Sequence, residues 1–174
     1  VLRAMADDVL PEVGVSQLLL YHLGENDLSI RAELELDVRE APLREFSLLI
    51  PAGFSPAGLQ ASDLADYFIT PVDDKKARLR LVFSRPVLGR AVAELELESN
   101  AGVAQGLWSP PRIVPEKVKS LRGQVGVSVS PGVRVKVADF GGLVEMATAF
   151  FPKKEDGLQV AFRIKGEDWN LELT

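Results

Sequence analysis

The side chains whose type and spacing would suit chemistry in this chain are paired carboxylates. Glu33 and Glu35 stand two apart in the stretch Leu28–Arg39, and Glu94, Glu96 and Glu98 repeat the pattern. Two residues along an extended strand are roughly 7 Å apart on one face, a separation within reach of those at which glycosidases set an acid against a nucleophile or base. That chemistry also needs one carboxyl desolvated so that its pKa rises, and the charged, hydrated surroundings of these glutamates do not supply it. His22 is the chain's one histidine, so any Ser-His-Asp arrangement must use it, yet no serine stands in Gly-x-Ser-x-Gly. It falls at a strand end beside the turn cluster Gly24-Glu25-Asn26-Asp27, the ordinary place for an exposed histidine. No residue is assigned to catalysis.

Metal and cofactor motifs are weaker still. Glu25-Asn26-Asp27, Asp73-Asp74 and Glu155-Asp156 offer loop oxygens of the kind calcium takes, without the Asp-x-Asp-x-Asp-Gly spacing. Cysteine is absent, which removes thiolate sites and disulfides. No glycine-rich phosphate loop occurs. No metal ligand and no cofactor are therefore expected. For binding, the rings of Trp108, Tyr67 and Trp169 are the candidates for a stacking surface. Trp169 is in phase with Leu171 and Leu173 and reads as core, while Trp108 sits in a proline-rich connection. Arg112 opens a basic run with Lys117, Lys119 and Arg122 that lacks the aromatic interleaving of a nucleic-acid surface. The candidate binding residues are Trp108, Arg112 and Tyr67.

The elements that must position them are strands. From Leu28 to Arg39 apolar and polar residues alternate without a break, the period of a strand with one buried and one wetted face. Its length implies a large or bent sheet. A hairpin joins it to the apolar run Val13–His22; Ala41-Pro42 reads as the next turn, Phe46–Ile50 as a strand and residues 51–62 as a loop with one short strand. Asp66–Thr70, Arg78–Phe83 and Arg90–Glu98 read as strands, the last two separated by a turn at Arg85-Pro86-Val87-Leu88-Gly89. Pro115–Arg122 suggests a helical turn or two, and Ser130-Pro131-Gly132 a reversal between Val125–Val129 and Val133–Val137. Leu143–Phe151 follows Gly141-Gly142, and a hairpin turning at Gly166-Glu167-Asp168 closes the chain.

About a dozen short strands with turns every 8–12 residues or so is a sandwich or barrel pattern. Strands wetted on one side exclude a doubly wound parallel sheet. The expected fold is an all-β antiparallel β-sandwich, one elongated double layer over 13–174 preceded by a leader or short helix over 1–12, with two small lobes divided at 105–112 as the alternative. A composition of 47% hydrophobic and 26% charged residues is globular. A net charge of −5 argues against broad contact with nucleic acid or anionic lipid, and no apolar run is long enough to span a bilayer as a helix. Starting at Val1 with domain-like sequence at both ends, the chain reads as a piece of a longer protein.

Taken together, Leu28–Pro51 with Ala77–Glu98 and its Arg85–Gly89 turn, then Arg122–Val127, Gly142-Leu143-Val144-Glu145, Phe151-Pro152 and the closing hairpin, resemble a β-sandwich module of large exported or membrane-anchored bacterial proteins. The resemblance implies an extracytoplasmic setting, in the periplasm or cell envelope, and supplies no catalytic residues. The expected function is that of a non-catalytic structural or interaction module of a larger bacterial envelope protein, with a protein or envelope component as partner and no membrane insertion of its own. The alternatives are a carbohydrate-binding module and a glycan-active enzyme using the paired carboxylates.

Overall fold

The computed structural model describes residues 9–174. Most of the expected leader or short helix over 1–12 lies outside the described residues, and Glu12 already opens the first strand. The chain is all-β, with strands β1 Glu12–Leu23, β2 Leu28–Pro51, β3 Ser55–Ala61, β4 Leu64–Pro71, β5 Lys76–Ser99, β6 Val114–Pro115, β7 Ser120–Val129, β8 Val137–Gly141, β9 Leu143–Met146, β10 Leu158–Ile164 and β11 Asn170–Leu173. One large sheet runs β3-β5-β2-β1-β7-β10-β9, with β4 also on β5 and β6 also on β2; β8 and β11 form a separate two-stranded ribbon.

A purely antiparallel arrangement is overturned at one seam. β1 and β7 run parallel, from Gly14 opposite Ser120 to Leu23 opposite Val129, so the sheet is mixed. Hairpin partners must be antiparallel, whereas strands joined by a long excursion are free to run either way. Alternation within β1 carries no information about that direction. The same region corrects three local expectations. Lys117 adopts a left-handed φ of 56°, which breaks the expected helical turns, and Leu121 and Arg122 belong to β7. Ser130-Pro131-Gly132 does not fold β7 back on Val133–Val137; β10 takes that place, and only Val137 enters a strand. The closing segments likewise do not pair with each other, since β10 lies between β7 and β9 while β11 pairs with β8.

β2 and β5 each run for 24 residues, about four times the usual strand length. Both pass straight through the positions expected as turns, and they bend instead of stopping. The β2–β5 register slips between Val38 and Leu43. Glu40 in β2 has φ 74°, Gly89 in β5 has φ 85°, and Asp63, between β3 and β4, has φ 52°. β3 and β4 lie end to end along β5, Ala61 opposite Ala93 and Leu64 opposite Phe83. The left-handed residues therefore fall on one line across three neighbouring strands. Pro42 and Pro86 sit on this line, where the ladder is already interrupted and a missing N–H forfeits little. The line divides a near half (28–39 of β2, 90–99 of β5, and β1, β3, β7, β9, β10) from a far half (43–51 of β2, 76–83 of β5, β4 and β6).

Alternation carries one apolar face across both halves. Ile30, Leu34, Leu36 and Leu97 line it in the near half; Leu48, Ile50, Leu79 and Leu81 line it in the far half, and all are essentially inaccessible. The connection between β5 and β7 crosses this face as a strap with Ile113 fully buried, and Trp169, Leu171 and Leu173 join the same cluster. On the opposite face of the near half a smaller cluster forms from Leu20, Phe151 and Ala161. Gly126 makes room for it, because a Cβ there would stand 2.8 Å from the Phe151 ring. The segment carrying Phe151 is clamped by Arg31–Glu155 at 2.7 Å and Lys153–Glu33 at 2.6 Å.

Candidate binding surfaces on the strap and the far edge

Trp108 and Arg112 stand on the strap. Trp108 exchanges backbone hydrogen bonds with Leu173 at 2.8 Å in both directions, and its ring meets Tyr21 edge-on, centroids 6.5 Å apart. Partly buried, it lines a groove of 410 Å³ together with Glu25, Gln105, Arg134 and Val135. The Arg112 guanidinium lies 4.6 Å over the buried Trp169 ring and donates to the Glu167 carbonyl oxygen at 2.6 Å. Burial pulls its pKa below the ordinary arginine value, opposed by the proximity of Tyr21 and Asp168. Burial pushes the Tyr21 phenol up, so it stays protonated and donates to the Pro111 carbonyl oxygen at 2.6 Å. Trp169 is 1% exposed. Arg112 therefore fastens the strap to the ribbon, and the ring offered to a ligand in this region is that of Trp108.

Lys119 and Arg122 of the basic run lie away from the strap, lining one concavity with Arg39, Arg90, Glu12, Glu35 and Asp37. Lys119 pairs with Glu12 at 2.9 Å, and Arg122 donates to Ser16 Oγ at 3.0 Å. The paired carboxylates are neutralised: Glu33 meets Lys153, and Glu35 meets Arg90 at 3.0 Å. The hydrogen bond from Arg90 holds the Glu35 carboxyl below the usual range, the reverse of what a general acid needs. His22 is held between Ser128 at 2.7 Å and Ser130 at 3.2 Å. Of the acidic loops, Asp73 accepts from the backbone N–H groups of Lys75 and Lys76, both at 2.8 Å, which lowers its pKa. Among the described residues no three His, Asp or Glu side chains are grouped to hold a metal ion.

Tyr67 lies apart from the strap, on β4. This strand pairs with β5 alone, and Tyr67, Phe68, Ile69 and Val72 are 40%, 44%, 41% and 45% exposed. Tyr67 and Ile69 stand opposite Leu81 and Leu79, so they prolong the apolar core face beyond its cover. Phe68 stands opposite Arg80, whose guanidinium lies 5.0 Å from the ring centroid. Sequence reasoning singled out Tyr67 but missed Phe68, Ile69 and Arg80. The signal was present: three consecutive apolar residues, Tyr67-Phe68-Ile69, break the alternation and so place apolar groups on both faces of the strand.

Fold and surfaces define an all-β domain built on one large, bent, mixed sheet. No family model and no curated protein matches the sequence. Solved structures do. The M1 zinc metallopeptidase from Deinococcus radiodurans matches with a TM-score of 0.53 and 14% identity, over 93% of this chain and 42% of that one. Native leukotriene A4 hydrolase from Saccharomyces cerevisiae matches with a TM-score of 0.55 and 10% identity, over 92% of this chain and 29% of that one. At these identities the likeness is one of fold, and this chain spans well under half the length of either structure.

Proposed function

We propose that the chain is a non-catalytic structural and interaction module of a larger protein, and that it docks a neighbouring domain across the uncovered apolar strip of β4. That strip carries the reading: Tyr67, Phe68 and Ile69 on consecutive positions of β4, and Val72 just beyond its end, are each 40–45% exposed along one edge, where an isolated soluble domain would place polar residues. The likeness to structures of which this fold makes up 29–42% supports a place within a longer chain. The strap and the β8–β11 ribbon, both laid on the core face of the large sheet, support a two-layer, sandwich-like body. A bacterial, extracytoplasmic envelope setting is part of the proposal and rests on the sequence resemblance.

Hydroxyl-radical footprinting of the longer protein tests this. Tyr67 and Phe68 should label several-fold more slowly than Phe150, which is 78% exposed; labelling at a rate in proportion to their exposure removes the reading. A second reading, a carbohydrate-binding module, is favoured by one observation: Trp108 lines a groove that also carries Glu25, Gln105 and Arg134, a ring beside hydrogen-bonding groups of the kind sugars use. Calorimetric titration with neutral oligosaccharides should then give heat that is lost in Trp108→Ala. Absence of heat with the intact protein ends that reading.

A further inference from the structure

We propose that β4 receives an extended segment of the neighbouring domain as an added strand, and that this segment alternates apolar with acidic residues; the inference rests on the docking reading above. β4 is bonded to a strand on one side only, so its other side carries backbone groups with no strand partner. The Tyr67 N–H donates to the Asp66 carboxylate at 2.8 Å, a bond an added strand would have to replace. β3, farther along the same edge, is blunted by Pro56 and a register slip between Pro56 and Gly58. Between Asp66 and Thr70, β4 has neither proline nor lysine, and its register against β5 is unbroken. Of the two halves of this edge, one is closed to pairing and the other is fit for it.

The side chains specify what would pair. An incoming strand would set every second residue beside Tyr67 and Ile69, next to the buried Leu79 and Leu81; apolar groups there continue the core row. The intervening residues would emerge beside Phe68, on the face where Lys76, Arg78 and Arg80 are exposed. Arg78 is committed to Glu116 through bonds of 2.7 and 3.1 Å. Arg80 is not so committed: its contact with Glu45 is 3.8 Å long, and its guanidinium reaches over Phe68 toward the open side. A carboxylate on the added strand would meet that cation, and a lysine would be repelled by it.

Backbone hydrogen exchange of the longer protein, read with the footprinting, tests the pairing. Strand addition predicts slow exchange, by at least about tenfold, at the outward-facing alternate amides of 66–70 other than that of Tyr67, which Asp66 already holds. If Tyr67 and Phe68 are shielded while those amides exchange freely, the strip is covered by side chains and the added strand is wrong; if both are open, the docking reading falls with it. The charge rule is tested with an acetylated peptide alternating valine and glutamate against its valine–lysine counterpart. The glutamate peptide should bind this protein at least about tenfold more tightly, and Arg80→Glu should invert the order. Equal binding, or binding insensitive to both Arg80→Glu and the double change Tyr67→Lys with Ile69→Lys, overturns it. Concentration-dependent dimerisation abolished by that double change would assign the edge to a second copy of the chain and likewise overturn it.

Discussion

The near and far halves of the sheet are made from the same two strands and the same alternation, yet they are finished differently. In the near half the strap and ribbon lie on one face, and the segment around Phe151 lies on the β1–β10 part of the other. Its β3 edge is closed by a proline and a slip. In the far half the strap joins the sheet edge-on as β6 beside β2, the face opposite the core carries exposed arginines, and the β4 edge is open and apolar. The difference teaches that burial of a strand's interior positions says little about its rim. Leu34 and Leu81 are equally inaccessible, each 1% exposed, but only the second has an exposed apolar neighbour strand beside it.

The sharpest way to break the near half is at its parallel seam. Gly123 has φ 147°, and a Cβ there would fall on the backbone of Gln17, so Gly123→Ala should cost more than about 4 kcal/mol or prevent folding. Soluble expression and a denaturant midpoint report it. Trp169→Ala, which empties the space between strap and ribbon, should cost about 3–5 kcal/mol by the same measurement. On the dividing line the sign reverses: Glu40→Gly relieves a left-handed non-glycine residue and should stabilise by about 1 kcal/mol at unchanged m-value. Removal of Lys153 or Arg31, whose side chains are 39% and 35% exposed, should cost only about 0.2–1 kcal/mol, less in high salt. In the far half, Tyr67→Lys with Ile69→Lys should change stability by under about 0.5 kcal/mol while removing docking, a combination the near half offers nowhere.

Acid sharpens the comparison further. The side-chain hydrogen bond from Arg78 holds the Glu116 carboxyl below the ordinary range. A lowered folded pKa contributes stability that is fully present above the unfolded value of about 4.3 and is lost as pH falls through the folded one. Glu116→Gln should therefore be slightly less stable than the parent at neutral pH and lose that deficit in strong acid, as thermal melts across pH would show.

Much of this fold was legible because alternation is local. Leu28–Val38 and Ala91–Leu97 announced their buried faces, and Trp169 announced its place by keeping phase with Leu171 and Leu173. What was not legible depended on partners distant in sequence. A proline such as Pro42 or Pro86 reads as a stop, and whether the ladder beside it is already broken is decided by a neighbouring strand. Strand direction in the β1–β7 seam leaves no trace in either strand. Of the candidate binding residues, Arg112 proved to be a fastening whose role needed Trp169, more than fifty positions away. Tyr67 was found as a ring, but its significance lay in Phe68 and Ile69 beside it.

The parallel seam also has a bearing on the order in which the molecule can assemble. His22 and Ser128, which face each other across it, are 106 residues apart in sequence, whereas β1–β2 and β4–β5 are hairpins of strands consecutive in the chain. Closing so long a loop costs entropy before any contact compensates it, and topologies dominated by such contacts fold slowly. The hairpins should consequently form first and the seam last. Under stopped-flow refolding, Leu34→Ala, in the β1–β2 hairpin, should slow folding, while Val127→Ala, on β7, should chiefly hasten unfolding.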